Sequence, residues 1–417
     1  MPSPRWRLDN RGDSFEDGRH MLHRLYFSPG MFGFGRLASY DYFGHLDRAL
    51  SQRIRAAGDE VETHVLQVAP TASIRRRAVK LAELVASTCD LGSAAGGPIH
   101  LVGHSTGGLD ARLVASPSVS LAVSPEALSW RHRLASITTM NAPHFGTPLA
   151  SFFTTASGER VLRALSALTF IALSLGAPPL SAVSALVLAF SRIDRALGFD
   201  LTVVDRATDS FLRVLDDARS HEVREYIDAI KRDQGAMVQL MPEAMDLFAA
   251  GIEDRPGVLC QSTVSMAHAP SPGIFLRGLT RPWSALSGIL FATLHTISSR
   301  YDSRYPCADP ELSAEDEETL ARSLGSSPAM SANDGVVPVR SQIWGKLVWA
   351  GYGDHLDVVG HFRDSRSRVA RAQEIGAPPH VDWLYSGSDF DCDRFASLND
   401  AIAKGILSGG RTIATAA

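Results

Sequence analysis

Apolar and polar positions follow two periodicities along this chain, one typical of strands and one typical of helices. Four short runs, apolar or alternating, are predicted strands: residues 23–27, 61–68, 98–103 and 134–143. The three segments between them carry apolar residues at helical spacing and are predicted helices: residues 41–57, 72–88 and 106–115. Strands that alternate with helices predict a parallel sheet joined by right-handed crossovers. The expected fold class is therefore α/β.

This alternation stops after residue 150 and resumes near residue 256. Residues 258–267 and 346–351 are predicted strands, whereas residues 300–335 are acidic and predicted to be mostly loop. Residues 393–410 form a predicted helix that Gly409 ends. The expected regions are an N-terminal extension, a first core part, a helical insertion and a second core part: residues 1–22, 23–150, 151–255 and 256–417.

The insertion contains an apolar stretch without charged residues, residues 165–190. A run of about 20 apolar residues is long enough to cross a bilayer as a helix. The sequence Gly-Ala-Pro-Pro at residues 176–179 divides this stretch into two pieces, each too short to cross alone. We therefore expect a hairpin of two apolar helices, residues 161–192, that covers another part of the protein and is not a transmembrane span.

Composition and charge are those of a soluble protein and do not indicate a nucleic-acid partner. Of the 417 residues, 45% are hydrophobic and 21% are charged, and the formal net charge is −4. The basic run Arg75-Arg76-Arg77 lies on a predicted helix and is expected to be a solvated face. Residues 1–24 lack the apolar core of a signal peptide, and the four scattered cysteines fit a reducing compartment. A cytoplasmic location is expected.

The segment Gly103-His104-Ser105-Thr106-Gly107 matches the pattern G-x-S-x-G. A predicted strand precedes it directly and a predicted helix follows it. In this context the chain turns sharply and presents the serine as a nucleophile at the edge of the sheet. We predict strained backbone angles at Ser105, with the two glycines leaving room for neighbouring backbone.

A nucleophilic serine needs a base that accepts its proton and a carboxylate that orients the base. In this architecture the acid and then the histidine follow the serine in chain order. Asp334 and His355 occupy that order and are predicted to complete a triad with Ser105. Asp354 as the acid and His361 as the base are alternatives.

The first predicted strand leads into a glycine- and aromatic-rich stretch, FSPGMFGFG at residues 27–35. Acyl transfer develops negative charge on a carbonyl oxygen. Backbone N–H groups can stabilise it, one from the residue after the nucleophile and one from a loop after an early strand. We predict that Thr106 and Met31 supply these two groups, with Gly30 letting the loop turn. Phe32 and Phe34 are predicted walls for an acyl chain.

Together these segments resemble the bacterial true lipases, the triacylglycerol lipase family of the α/β-hydrolase superfamily. The similar segments are, in chain order, PGMFGFGRLASYDYFGHL, VGHSTGGLDARLVA, TTMNAPHFGTPLA, NDGVVPVRS and DHLDVVG. They cover most of residues 23–150 and 330–362. The resemblance implies an α/β-hydrolase fold, with a mostly parallel sheet flanked by helices. It also places the family's mobile lid in the insertion, where the apolar hairpin would cover Ser105.

The activity implied by the resemblance is hydrolysis of lipid esters, with the protein working at a lipid–water interface. Three alternatives stay open. They are an acyltransferase with the same triad, an esterase or polyester hydrolase for other esters, and a non-catalytic binding protein on the same fold.

No cofactor is expected for the chemistry, but the resemblance implies a structural calcium ion near the catalytic histidine. Asp357, two residues after His355, matches one acidic ligand of that ion. A second ligand would precede the triad acid, where there are three candidates: Asp302, Asp309 and Asp316.

Two positions depart from the family pattern. Pro29 stands where the family has the histidine of an HG dipeptide, and His361 stands where it often has a glutamine calcium ligand.

Overall fold

A computed structural model describes the greater part of the chain. The described ranges are residues 20–31, 36–37, 40–69, 71–91, 96–155, 232–270, 282–307, 309–363 and 384–416, with the single residues 158, 162, 221, 228, 380 and 382. Phe32 and Phe34 lie outside them, as does the predicted hairpin at 161–192 apart from Leu162. Within the described ranges, no helix is both long and apolar enough to cross a membrane.

Six parallel strands form the central sheet, in the order β4-β1-β5-β6-β7-β8. Their bounds are β1 Leu22–Ser28, β4 Glu60–Val65, β5 Ile99–His104, β6 Leu134–Met140, β7 Leu259–Met266 and β8 Lys346–Tyr352. Two short strands, β2 Arg36–Leu37 and β3 Tyr40–Asp41, pair separately. The predicted parallel sheet is confirmed, and strands from both sides of the insertion join it.

Helices cover both faces of the sheet. On one face lie α1 (Gly44–Ala56) and the C-terminal helix, and on the other lie α2 (Ile74–Thr88) and α3 (Thr106–Ala115). The strand side chains alternate accordingly: in β1, Leu25 and Phe27 pack toward α1, and Tyr26 packs toward α2. The other α-helices among the described residues are α4 Pro148–Phe153, α5 Gly235–Gln239, α6 Pro242–Gly251, α7 Pro282–Ser298, α8 Ala314–Leu324 and α9 Cys392–Ala416.

The prediction that residues 300–335 are mostly loop missed α8. Ser313 caps this helix, since its hydroxyl accepts a hydrogen bond from the Asp316 N–H at 3.1 Å. Acidic residues occupy its first turn, where their negative charge interacts favourably with the positive end of the helix dipole. Part of the acidity of this segment therefore stabilises the start of a helix.

The C-terminal helix does not end at Gly409, as the sequence suggested, but continues to Ala416. A Cβ atom on Gly409 would lie 2.9 Å from the carbonyl oxygen of Ala135, and one on Gly410 would lie 2.5 Å from the His23 ring. These glycines let the helix approach the sheet closely. Their role is close packing against the sheet, and they do not stop the helix.

Candidate active site

The candidate nucleophile lies at the carboxyl end of the sheet, where β5 ends at His104 and α3 begins at Thr106. Ser105 has φ 54° and ψ −127°, a conformation that costs a side-chain-bearing residue about 1–3 kcal/mol. A Cβ on Gly107 would lie 2.0 Å from the Ser28 carbonyl oxygen, and one on Gly103 would lie 2.2 Å from the Gly107 carbonyl oxygen. Both the predicted strain and the predicted backbone crowding are present.

His355 and Asp334 meet beside this turn. The His355 Nδ1 atom lies 2.7 Å from Asp334 Oδ2. Asp334 is fully buried and accepts three further hydrogen bonds, from the Val336 and Val337 N–H groups and from the Asn141 side-chain amide. Four donors thus fix the carboxylate. Because a carboxylate only accepts, Nδ1 carries the hydrogen, which leaves Nε2 of a neutral His355 ring free to take a proton.

The two alternative residues lie in other surroundings. Asp354 accepts hydrogen bonds from the Leu356 and Asp357 N–H groups and from the Ser386 hydroxyl. His361 packs against Tyr42, and burial lowers the pKa of its ring to about 3. A ring with so low a pKa is a poor proton acceptor at neutral pH. The geometry therefore favours Asp334 and His355.

The candidate oxyanion loop approaches Ser105 through Gly30. The φ of Gly30 is not positive, so the predicted turn does not require a glycine at this position. A Cβ on Gly30 would instead lie 2.8 Å from the Cβ of Ser105, so the position needs glycine for close approach. Met31 borders the same cavity as Ser105 and His355. Thr106 begins α3, where backbone N–H groups have no partner within the helix.

A buried ion pair supports this loop from beneath. Arg77 and Asp110 are both fully buried, and Arg77 Nε lies 2.9 Å from Asp110 Oδ2. Arg77 also donates to the Pro29 carbonyl, and the Ser28 hydroxyl donates to Asp110 at 2.7 Å. The predicted solvated face of Arg75-Arg76-Arg77 is thus wrong at its last residue. Arg77 falls on the apolar stripe of α2, with Ile74 and Leu81, whereas Arg75 and Arg76 are exposed.

Replacing Arg77 by alanine is expected to lower the free energy of unfolding by about 3–5 kcal/mol, because it leaves Asp110 buried without its cation. The matched control is Arg76→Ala on the same helix. Its exposed pair with Asp233 is worth at most about 1 kcal/mol. Urea unfolding followed by circular dichroism measures both. Equal losses for the two variants would contradict a supporting role for the buried pair.

A small apolar cavity lies in front of Ser105 and His355. Its volume is about 20 Å³, room for roughly one water molecule. Apart from Ser105 and His355, its lining is almost wholly apolar: Met31, Pro143, Thr147, Leu149, Ala150, Phe153, Met237, Leu240, Val336 and Val337. Met237 and Leu240 come from the end of the insertion, and nothing in their local sequence marks them as site residues. The predicted walls Phe32 and Phe34 lie outside the described residues.

A second cavity, of about 450 Å³, lies behind the histidine loop and is lined by several acidic residues. Asp354, Asp357 and Asp382 line it. Burial, reinforced by the neighbouring carboxylate of Asp382, raises the pKa of Asp357 to about 8. Burial likewise raises the pKa of Asp382 to about 7 and that of Asp354 well above its usual value. Oxygen ligands of this kind are those that calcium prefers.

These carboxylates do not form a metal site as they stand. In the described part of the chain, no three acidic, histidine or cysteine side chains converge as ligands would. The suggested second ligands are engaged elsewhere: Asp302 pairs with Arg304, Asp309 lies 3.7 Å from Arg340, and Asp316 belongs to the cap of α8. An acid that does approach Asp357 from a distant part of the chain is Asp382, which the sequence did not indicate.

The parallel sheet, with a strained serine between β5 and α3 and an Asp–His pair at the same edge, defines an α/β-hydrolase. Within this class the resemblance to bacterial lipases is confirmed in sequence. The chain is 34% identical over 104 residues to a triacylglycerol lipase of Vibrio cholerae, a match that covers 25% of this chain and 31% of that protein. No family model matches the chain.

Solved structures of bacterial esterases and lipases are similar over most of the chain. EstA from Clostridium botulinum is 18% identical, covering 90% of this chain and 88% of its own, with a TM-score of 0.46. Staphylococcus hyicus lipase is 16% identical, with a TM-score of 0.43, and the match covers 93% of this chain and 96% of the lipase. A metagenomic carboxyl esterase is 13% identical, with a TM-score of 0.42, and the match covers 97% of this chain and 82% of the esterase.

Proposed function

We propose that this protein is a serine carboxylic-ester hydrolase that acts on lipid esters. The observation that carries the proposal is the 2.7 Å contact between His355 Nδ1 and Asp334, in a cavity wall shared with the strained Ser105. A base held by a buried carboxylate beside a serine at the carboxyl end of the sheet is the arrangement that acyl transfer requires.

In the proposed reaction, the Ser105 hydroxyl oxygen attacks the ester carbonyl while its proton passes to His355 Nε2. The carbonyl oxygen becomes negatively charged and accepts hydrogen bonds from the Met31 and Thr106 N–H groups. Collapse of this intermediate breaks the ester bond, and the proton on His355 goes to the departing alcohol. Water then attacks the acyl-enzyme, again with His355 as base, which releases the acid and restores the serine. Asp334 holds the imidazole in place and stabilises its charged form.

The apolar lining beside Ser105 supports an acyl group as the group bound there, and at about 20 Å³ the cavity has room only for the part of the chain next to the carbonyl. Aliphatic and aromatic side chains there would hold hydrocarbon more favourably than a polar or charged group. The acyl chain length is best read from the hydrolysis of p-nitrophenyl esters of increasing length and of emulsified triglyceride. Flat activity across these substrates would argue against an acyl-binding role for the cavity.

The proposed nucleophile is tested by labelling with a fluorophosphonate followed by peptide mass spectrometry. One label per molecule, located on the peptide that contains Ser105, is the expected result. Adding a competing alcohol to the ester assay separates hydrolysis from acyl transfer, since a transferase makes the new ester in place of the free acid. No labelling of the folded protein would refute the proposal.

Calcium binding at Asp357 stays a prediction from the resemblance. The acidic lining of the larger cavity supports it, and the lack of three converging ligands among the described residues counts against it. If the ion binds, EGTA lowers the thermal unfolding temperature, calcium restores it, and Asp357→Asn removes the difference, because bound ligand stabilises the folded state. The control is Asp302→Asn, whose carboxylate pairs with Arg304 at the surface. An unfolding temperature that changes with neither EGTA nor calcium would exclude calcium binding.

A further inference from the structure

The proposed reaction needs two loops that are far apart in sequence to keep fixed positions around Ser105. One carries Gly30 and Met31, and the other carries His355. His104, the residue directly before the nucleophile, lies between them. Its Nδ1 atom is 2.7 Å from the hydroxyl oxygen of Tyr42, and its Nε2 atom is 2.8 Å from the carbonyl oxygen of His355. His104 is fully buried and Tyr42 almost so.

The hydrogen atoms of this bridge can point in one direction only. A carbonyl oxygen only accepts, so His104 Nε2 must carry the hydrogen that faces His355. In the neutral ring Nδ1 is then an acceptor, so the Tyr42 hydroxyl donates to it. Gly30 lies against the Tyr42 oxygen, since a Cβ on Gly30 would lie 3.3 Å from it, and the Gly30 N–H acts on the same oxygen. Hydrogen bonds therefore link Tyr42 through His104 to His355, and the Tyr42 end of this bridge contacts Gly30.

The surroundings keep both side chains neutral. Burial, and then the neighbouring His355, hold the pKa of His104 well below its usual value. Burial raises the pKa of Tyr42 above its usual value, against a smaller opposite effect of the Gly30 N–H and Arg77. Neither group changes its protonation near neutral pH, so the bridge supplies position and takes no part in proton transfer.

We propose that Tyr42 and His104 are positioning residues, which together fix the oxyanion loop and the histidine loop relative to each other across the nucleophile turn. This inference rests on the proposed hydrolase function. Catalytic groups misplaced by about 1 Å can lose on the order of 100-fold in rate, so a bridge of this kind would act mainly on the chemical step.

Tyr42→Phe removes the hydroxyl that donates to His104 Nδ1 and that contacts Gly30. The expected result on a soluble p-nitrophenyl ester is a fall in kcat of about 10- to 100-fold, as for a buried hydrogen-bonding group left unpaired, with KM changed less than about 3-fold. The matched control is Tyr26→Phe. Tyr26 is also fully buried and bonds Thr88 at 3.0 Å, away from both loops, so its loss should leave kcat unchanged.

Two replacements of His104 separate the two links. Asparagine places an oxygen near the position of Nδ1, where it can accept from Tyr42, but has nothing near Nε2. Glutamine reaches the position of Nε2 with an amide that can donate to the His355 carbonyl. We expect His104→Gln to retain more kcat than His104→Asn, because the link to the base loop is kept. Equal kcat values, or the reverse order in folded variants, would overturn the proposal.

Nitrogen-15 NMR of the wild-type protein tests the bridge without any substrate. His104 should show a protonated Nε2 and an unprotonated Nδ1 between pH 8 and pH 6. The opposite tautomer would overturn the proposal even if the variants do not fold. If the wild-type protein hydrolyses esters and Tyr42→Phe keeps full kcat, the positioning proposal is wrong and the hydrolase function stands. A wild-type protein that neither hydrolyses esters nor reacts with a fluorophosphonate would instead refute the function.

Discussion

Replacing Ser105 by alanine is expected to abolish ester hydrolysis and leave the fold intact. Ser105 is the proposed nucleophile because it lies at the sharp turn between β5 and α3 and borders the same cavity as His355. Loss of the nucleophile from a triad lowers kcat on the order of 10⁶-fold. Initial rates on p-nitrophenyl esters, together with circular dichroism, measure activity and fold. Near-normal turnover in the folded variant would exclude Ser105 as the nucleophile.

Ser105→Gly is the informative companion to this variant. It removes the same hydroxyl, so it should be equally inactive. Glycine tolerates positive φ, however, so it should relieve the strain at φ 54°, which alanine keeps. Ser105→Gly is therefore expected to unfold at a higher temperature than Ser105→Ala. The opposite order would show that the turn is not strained in solution.

Asp334→Asn is expected to lower kcat by about 10⁴-fold, as the loss of a triad carboxylate does when the geometry is kept. The two backbone N–H groups of Val336 and Val337 hold one oxygen of this side chain, which fixes the asparagine oxygen there. The new amide nitrogen then faces His355 Nδ1, which must give up its hydrogen to accept. The ring is left in the tautomer that cannot take a proton from Ser105.

The matched control for this variant is Asp354→Asn. Asp354 is also buried and lies beside His355 in sequence, but its partners are Ser386 and backbone N–H groups. Its replacement should leave kcat within about 10-fold of wild type, because its side chain does not hydrogen-bond the His355 ring. A larger loss at Asp354 than at Asp334 would reverse the assignment of the acid.

Local patterns were enough to predict the sheet and the serine turn. Each strand is a short apolar or alternating run, and the helix predicted at residues 106–115 has those bounds in the structure. The serine turn depends on neighbours within a few residues, so the sequence contains all of it. The pairing of Asp334 with His355 was predictable because the order of the acid and the base is set by the fold.

Features that depend on contacts distant in sequence were not predictable in this way. The basic run around Arg77 predicts a surface residue, whereas its partner Asp110 lies on another helix. Asn141 supports Asp334 across 193 positions of the chain, and Asp382 meets Asp357 after a long connection. Such partners are chosen by the packed fold, and no local spacing marks them. The domain boundaries and the apolar hairpin remain predictions.

The close approach of the C-terminal helix to the sheet has a consequence for the time course of folding during synthesis. Leu25 and Phe27 of the first strand pack on the face that this helix helps to cover, and Gly410 lies against His23. At about 5–20 residues per second, a ribosome needs roughly 20–80 seconds to travel from one contact to the other. Until then that face of the first strand lacks part of its cover. The nascent chain must therefore carry an exposed apolar surface for most of its synthesis, and the sheet can be closed on this side only after the last helix has left the ribosome.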